Sequence, residues 1–104
     1  MKILVIEDEP DLLAAIKTSL EKEAYIVESA GDFASASEKL GIYTYDCILL
    51  DIMLPGGSGL DLLASLKEAG KSENVIIVSA KDSLDDKING LGLGADDYLT
   101  NRFI

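Results

Sequence analysis

Three short runs of unbroken apolar residues, Ile3-Leu4-Val5-Ile6, Cys47-Ile48-Leu49-Leu50 and Val75-Ile76-Ile77-Val78, restrict the fold of this chain more than any other feature. A strand with one wet face alternates apolar and polar residues, whereas a strand that is apolar at every position has both faces covered. Weaker strand candidates are Tyr25-Ile26-Val27 and Tyr98-Leu99-Thr100. Between the runs, apolar residues return at helical spacing: Leu12, Leu13, Ile16 and Leu20 share one stripe, and Leu62, Leu63 and Leu66 share another. The order is β-α repeated, which predicts a parallel sheet whose crossover helices cover both faces.

The boundaries agree with this order. Pro10 suits a first helical turn after Asp8-Glu9, Asp32 caps a helix over Phe33 to Leu40, and Ser58 caps one that stops at Gly70. Ser83, three residues before Asp86, predicts the start of a fourth helix carrying Leu84, Ile88 and Leu91. Gly90, Gly92 and Gly94 make the end of that helix short or frayed, at a cost of about 1 kcal/mol per interior glycine relative to alanine. A chain of 104 residues is one domain, able to bury roughly 60 to 70% of its unfolded surface.

A formal charge of −10, from 19 acidic and 9 basic residues without His, argues against this segment gripping nucleic acid or an anionic membrane; a cation is the more natural guest. The single cysteine, Cys47, lies inside an apolar run and reads as core filler rather than as a disulfide partner, zinc ligand or nucleophile. The longest apolar runs are four or five residues, too short to cross a bilayer, and Met1-Lys2 leads straight into a strand without a secretory pattern. A soluble, cytoplasmic protein is expected.

In parallel sheets of this kind ligands gather at the carboxyl ends of the strands. Glu7, Asp8 and Glu9 follow the first strand, Asp51 the third, Ser79-Ala80-Lys81 the fourth and Thr100-Asn101 the fifth. Carboxylates brought within a few ångströms either raise one another's pKa or recruit a cation, and an all-oxygen donor set of this type favours Mg²⁺. Alternatively, Glu7 to Glu9 merely favour the N-terminus of the first helix through its dipole. Asp51 weighs against that reading alone, because it closes a buried strand at the sheet edge. Its loop, Asp51-Ile52-Met53-Leu54-Pro55-Gly56-Gly57-Ser58-Gly59, contains a Pro-Gly turn that can hold the chain while the Met53 carbonyl turns toward a metal. A carboxylate oxygen is a competent nucleophile toward a phosphoryl group when a bound Mg²⁺ neutralises the accumulating charge. The plain alternative is a strand-to-helix connection. Ser79 and the Ala80 N–H have the chemistry to donate to a phosphoryl oxygen, although a serine at a strand end is also routine. Tyr98 reads as a half-buried aromatic on an edge strand.

Together, Ile3-Leu4-Val5-Ile6-Glu7-Asp8-Glu9, Leu50-Asp51-Ile52-Met53-Leu54-Pro55-Gly56, Val78-Ser79-Ala80 and Gly94-Ala95-Asp96-Asp97-Tyr98-Leu99-Thr100 resemble the receiver domain of two-component response regulators over essentially the whole chain. The resemblance implies a flavodoxin-like, doubly wound α/β fold with a five-stranded parallel sheet of order 2-1-3-4-5, and a receiver domain spanning residues 1–104. It implies that Asp51 accepts a phosphoryl group from the phosphohistidine of a sensor histidine kinase. Asp8 and Asp51 would bind Mg²⁺ directly with the Met53 carbonyl, and Glu7 through water. Ser79 would then move toward the phosphoryl group, with Ala80 donating its N–H, and Tyr98 would swing inward and remodel the surface of the fourth helix and fifth strand. The Leu54-Pro55-Gly56-Gly57 loop looks most like the subgroup that joins the receiver to a winged-helix domain, so DNA contact and transcriptional control would belong to a domain outside these residues.

Two features depart from the family pattern. Where the family has Thr-Lys-Pro-Phe, this chain has Thr100-Asn101-Arg102-Phe103. Asn101 is a neutral donor in place of a point charge, and without the proline the usual reason for a cis peptide is gone. Lys81 and Arg102 are the nearest cations by sequence. The residues also stop at Ile104, where the family's last helix would begin, which predicts uncovered apolar surface on the order of a few hundred Å², covered by a homodimer or other self-association or by partner strand and helix exchange. Three functions follow: a phosphorylated switch, a pseudo-receiver that signals without phosphate, or a Mg²⁺-dependent phosphatase with an Asp nucleophile. The last would place a second Asp two residues after Asp51, where Met53 stands.

Overall fold

The computed structural model describes residues 1–71, 73–79, 91–92 and 94–100, with the backbone alone for residues 79 and 98–100. The elements are β1 (Lys2–Ile6), α1 (Pro10–Lys22), β2 (Ile26–Ala30), α2 (Phe33–Ile42), β3 (Cys47–Leu50), β4 (Met53–Leu54), β5 (Gly57–Ser58), α3 (Gly59–Glu68), β6 (Asn74–Ser79) and β7 (Asp97–Thr100). Five strands form one sheet in the order β2-β1-β3-β6-β7, each pair parallel. This is the expected 2-1-3-4-5 order once β4 and β5 are set apart, since they form a separate antiparallel hairpin around Pro55-Gly56. Gly56 has φ +89°, the conformation that the third residue of a type II turn needs after proline. The predicted fourth helix lies outside the described residues except for Leu91 and Gly92, which are helical.

The three apolar runs are the three central strands. β2 extends beyond the predicted Tyr25 to Val27, because five of its residues pair with β1; Glu28 and Ser29 break its apolar pattern at an edge of the sheet, where one side is open. Pleating divides the strands between two cores. Leu4, Ile6, Ile48, Leu50, Val75 and Ile77 pack with Leu62, Leu63 and Leu66 of α3 and Ala36 and Leu40 of α2. Ile3 and Val5 pack with Ile16 of α1, with Leu12, Leu13, Leu20, Cys47 and Leu49 only partly covered. Burial, then the charge of Asp96, pushes the Cys47 thiol above its ordinary value, which agrees with a packing role.

Caps end the helices where the chain must turn. Asp32 accepts the Ser35 N–H at 2.7 Å, and Ser58 accepts the Leu60 N–H at 3.2 Å. At their C-termini α1 and α3 close in the same way. Tyr25 N–H returns to the Leu20 carbonyl at 3.3 Å and Lys71 N–H to the Leu66 carbonyl at 3.1 Å, each across a left-handed residue. In α3 that residue is Gly70 (φ +72°); in α1 it is Ala24 (φ +67°). An L-residue there costs roughly 1–2 kcal/mol, partly offset because glycine has more freedom to lose. Ala24→Gly is therefore expected to stabilise the fold by about 0.5–1 kcal/mol, read as a higher urea midpoint at unchanged slope.

Candidate functional site

β1, β3 and β6 are neighbours at the centre of the sheet and run parallel, so residues leaving their carboxyl ends share one edge. Hydrogen bonding continues past the strands. Glu7 N–H donates to the Ala30 carbonyl at 3.0 Å, and Asp51 N–H donates to the Ile6 carbonyl at 3.0 Å. Glu7 and Asp51 thus spring from backbone tethered to the sheet rather than from free loop. Carboxylate oxygens of Glu7, Asp8 and Asp51 lie within 4.8 Å of one another, with Glu7 buried, Asp51 half-buried and Asp8 exposed. Two backbone donors touch the cluster: Glu9 N–H reaches Glu7 Oε1 at 3.3 Å, and Met53 N–H reaches Asp51 Oδ1 at 3.4 Å.

Glu7 is only 6% exposed. Its carboxyl is pushed up to about 8, first by burial and then by its hydrogen bond and charge repulsion with Asp51; Asp8 adds repulsion and the Glu9 N–H opposes it. Near neutral pH Glu7 therefore retains its proton. A divalent cation answers the same repulsion with more charge, and three carboxylates offering hard oxygens, one of them open to solvent, fit Mg²⁺. Beside Asp8 a cleft of about 420 Å³, lined also by Ile52, Met53, Leu54, Gly57 and Ser58, opens to solvent.

The helix-dipole alternative holds for one residue of the acidic run. Glu9 is the N-cap of α1, accepting Asp11 N–H at 3.2 Å and Leu12 N–H at 2.6 Å, while Glu7 and Asp8 point to the cluster. Glutamate is not among the preferred cap residues, which is why the sequence does not reveal this task. Met53 begins the hairpin, exposed, directly after Asp51 and Ile52. Ser79 ends β6 in register with Thr100, and Tyr98 pairs with Ile77. The side chains of Ser79 and Tyr98, and Ala80, Lys81, Asn101 and Arg102 entirely, lie outside the described residues. No described helix is long and apolar enough to cross a membrane.

A family profile described as the response regulator receiver domain matches residues 3–103. The chain belongs to this family. It is 45% identical over 103 residues to the transcriptional regulatory protein DltR of Streptococcus agalactiae, an alignment covering 99% of this chain and 46% of DltR. The chain thus spans about half the length of the curated relatives it matches. Among solved structures it is similar to the BeF3-activated N-terminal receiver domain of Klebsiella pneumoniae RstA, with TM-score 0.91, 31% identity, and coverage of 97% of this chain and 86% of that one. It is also similar to the Thermotoga maritima response regulator TrrA in complex with Mg(2+)-BeF, with TM-score 0.85, 29% identity, and coverage of 95% and 84%.

The raised Glu7 value carries a pH signature for the protein in a chelator. The folded state holds this proton more tightly than the unfolded one, whose ordinary value is 4.5. The stabilisation is complete below that value and is lost as pH rises through about 8. Metal-free stability is expected to fall across this window, and Glu7→Gln to flatten the fall and to be the more stable protein at the alkaline end. Urea melts along a pH series with and without Mg²⁺ check this; wild type and variant with parallel profiles would contradict it.

Proposed function

We propose that this chain is the phosphoacceptor module of a signalling switch, in which Asp51 takes a phosphoryl group from the phosphohistidine of a sensor histidine kinase. One observation carries the reading: Asp51, on sheet-tethered backbone, shares a 4.8 Å cluster with Glu7 and with Asp8, which lines a solvent cleft. An Asp51 carboxylate oxygen attacks phosphorus in line, the P–N bond breaks with its electron pair leaving on the imidazole, and an acyl phosphate remains on Asp51. Asp8 and Asp51, with the Met53 carbonyl, would hold Mg²⁺, and Glu7 would act through water. Bound there, the cation neutralises charge on the transferring oxygens.

Met53 N–H on Asp51 Oδ1 orients the carboxylate, and buried Glu7 keeps the inner side of the cluster closed to water. Ser79 and the Ala80 N–H are the proposed donors to the phosphoryl oxygens, and Tyr98 the reporter that remodels the outer surface. Asn101, in the position of the family lysine, supplies at most a neutral hydrogen bond. Support comes from RstA and TrrA, both solved with beryllium fluoride, a tetrahedral mimic of the phosphoryl group. Control of transcription is proposed for the longer protein, through a DNA-binding domain, as in relatives such as DltR that are named as transcriptional regulators. Homodimerisation is proposed over the apolar groove between Leu12, Ile16 and Leu20 of α1 and Leu49, Ile76 and Val78 of the sheet.

Incubation with acetyl phosphate and Mg²⁺, followed by intact mass measurement, is expected to show one added phosphoryl group that is absent in Asp51→Asn. An unmodified wild type with a native circular dichroism spectrum would remove the phosphoacceptor and favour a pseudo-receiver. Sustained release of phosphate from small phosphoesters would instead favour an enzyme.

A further inference from the structure

The loop from Asp51 to Gly59 closes on itself. Asp51 leaves β3 with its N–H on the Ile6 carbonyl at 3.0 Å, the hairpin turns at Pro55-Gly56, and the returning chain puts the Gly59 N–H on the Ile52 carbonyl at 2.6 Å. The first residue of α3 therefore rests on the backbone of the aspartate. A Cβ on Gly59 would fall onto the Asp51 carbonyl oxygen, 3.0 Å from the Asp51 carbonyl carbon and 3.1 Å from Ile52 Cα. All three are backbone atoms, so no side-chain rotation relieves the overlap.

Both sides of the contact are held, since Ile52, 5% exposed, belongs to the same core as α3. α3 is fixed by Leu62, Leu63 and Leu66, at 2%, 0% and 6% exposure, in the larger of the two cores. A close-packed core resists a shift of all three together. Asp51 lies just past β3, half-buried, with one backbone hydrogen bond to the sheet. A shift of the Asp51 backbone at this contact carries its carboxylate with it.

We propose that Gly59 is a positioning residue whose missing side chain sets how far the Asp51 carboxylate stands from those of Glu7 and Asp8. The inference rests on the reading of that cluster as the cation and phosphoryl site. Gly70 supplies the contrast at the opposite end of the same helix: it is left-handed (φ +72°), but a Cβ there meets nothing within 4 Å. Gly70→Ala strains α3 without touching Asp51.

The test compares wild type, Gly59→Ala and Gly70→Ala in two measurements: Mg²⁺ affinity by NMR titration, and the rate of adduct formation from acetyl phosphate at saturating Mg²⁺. Gly59→Ala is expected to weaken Mg²⁺ binding by about 10–100-fold, the range for lost support behind a ligand, and to slow phosphorylation. Gly70→Ala is expected to melt lower and leave both unchanged. If Gly59→Ala lacks the wild-type circular dichroism spectrum, trimethylamine N-oxide, which favours the folded state by exclusion from the protein surface, is added until it returns, and the titration is made there. A folded Gly59→Ala with wild-type Mg²⁺ affinity overturns the proposal, as does an equal loss in Gly70→Ala. A wild type that binds Mg²⁺ but takes no phosphoryl group defeats the reading of Asp51 instead, and the Mg²⁺ comparison still decides the role of Gly59.

Discussion

The repulsion among Glu7, Asp8 and Asp51 is the interaction around which the rest of the molecule is arranged. Carboxylates held this close in partly buried surroundings would separate if their backbones were free. They cannot, because Glu7 and Asp51 are hydrogen-bonded into the sheet one residue beyond the ends of their strands. The register of β1 with β3, Ile6 opposite Leu50, places the next residues of both strands side by side. Burial of Ile3 to Ile6, Ile48 and Leu50 then resists any slip, since a one-residue shift would carry every side chain to the other face. Core packing thus holds the backbones of Glu7 and Asp51 side by side against the repulsion of their carboxylates.

Much of this was legible in the residues. Unbroken apolar runs identify central parallel strands because no other element of that length buries both of its faces. Asp51 stands out because a carboxylate directly after such a run has to reside at the sheet's carboxyl edge. The cap residues Asp32 and Ser58 were readable because each side chain acts on the backbone two or three positions ahead. Interactions made by backbone in three dimensions were not. The β4–β5 hairpin depends on Met53 meeting Ser58, and neither strand is long enough to show a period. Glu9 as a cap was hidden by two acidic neighbours with a different task. Gly59 carries no local signal that separates a flexible position from a crowded one.

The two faces of the sheet differ in a way that composition does not show. On the α2–α3 face the strand side chains are nearly all inaccessible, and that face is continuous with the loop that carries Asp51. On the α1 face, Leu12, Leu13, Leu20, Cys47 and Leu49 are only partly covered. The more fully buried side of the sheet is therefore the side that seats α3, and through α3 the loop of Asp51. The softer side is available to whatever lies against α1 and β6.

A proton and a cation compete for the same repulsion in this cluster, and that competition couples the site to the fold. With Glu7 protonated, the buried end of the cluster is neutral. When the proton leaves, the charge has to be matched from outside, and the open side at Asp8 is where a hydrated divalent ion enters. Mg²⁺ bound there as proposed would displace the proton, and its affinity would rise with pH over the range in which Glu7 titrates. A phosphoryl group on Asp51, as proposed, would bring further negative charge to the same edge. In the proposed switch, with asparagine at position 101, more of that charge would fall to the cation and to the proposed donors Ser79 and Ala80, and the distance between Asp51 and its two acidic neighbours would matter correspondingly more.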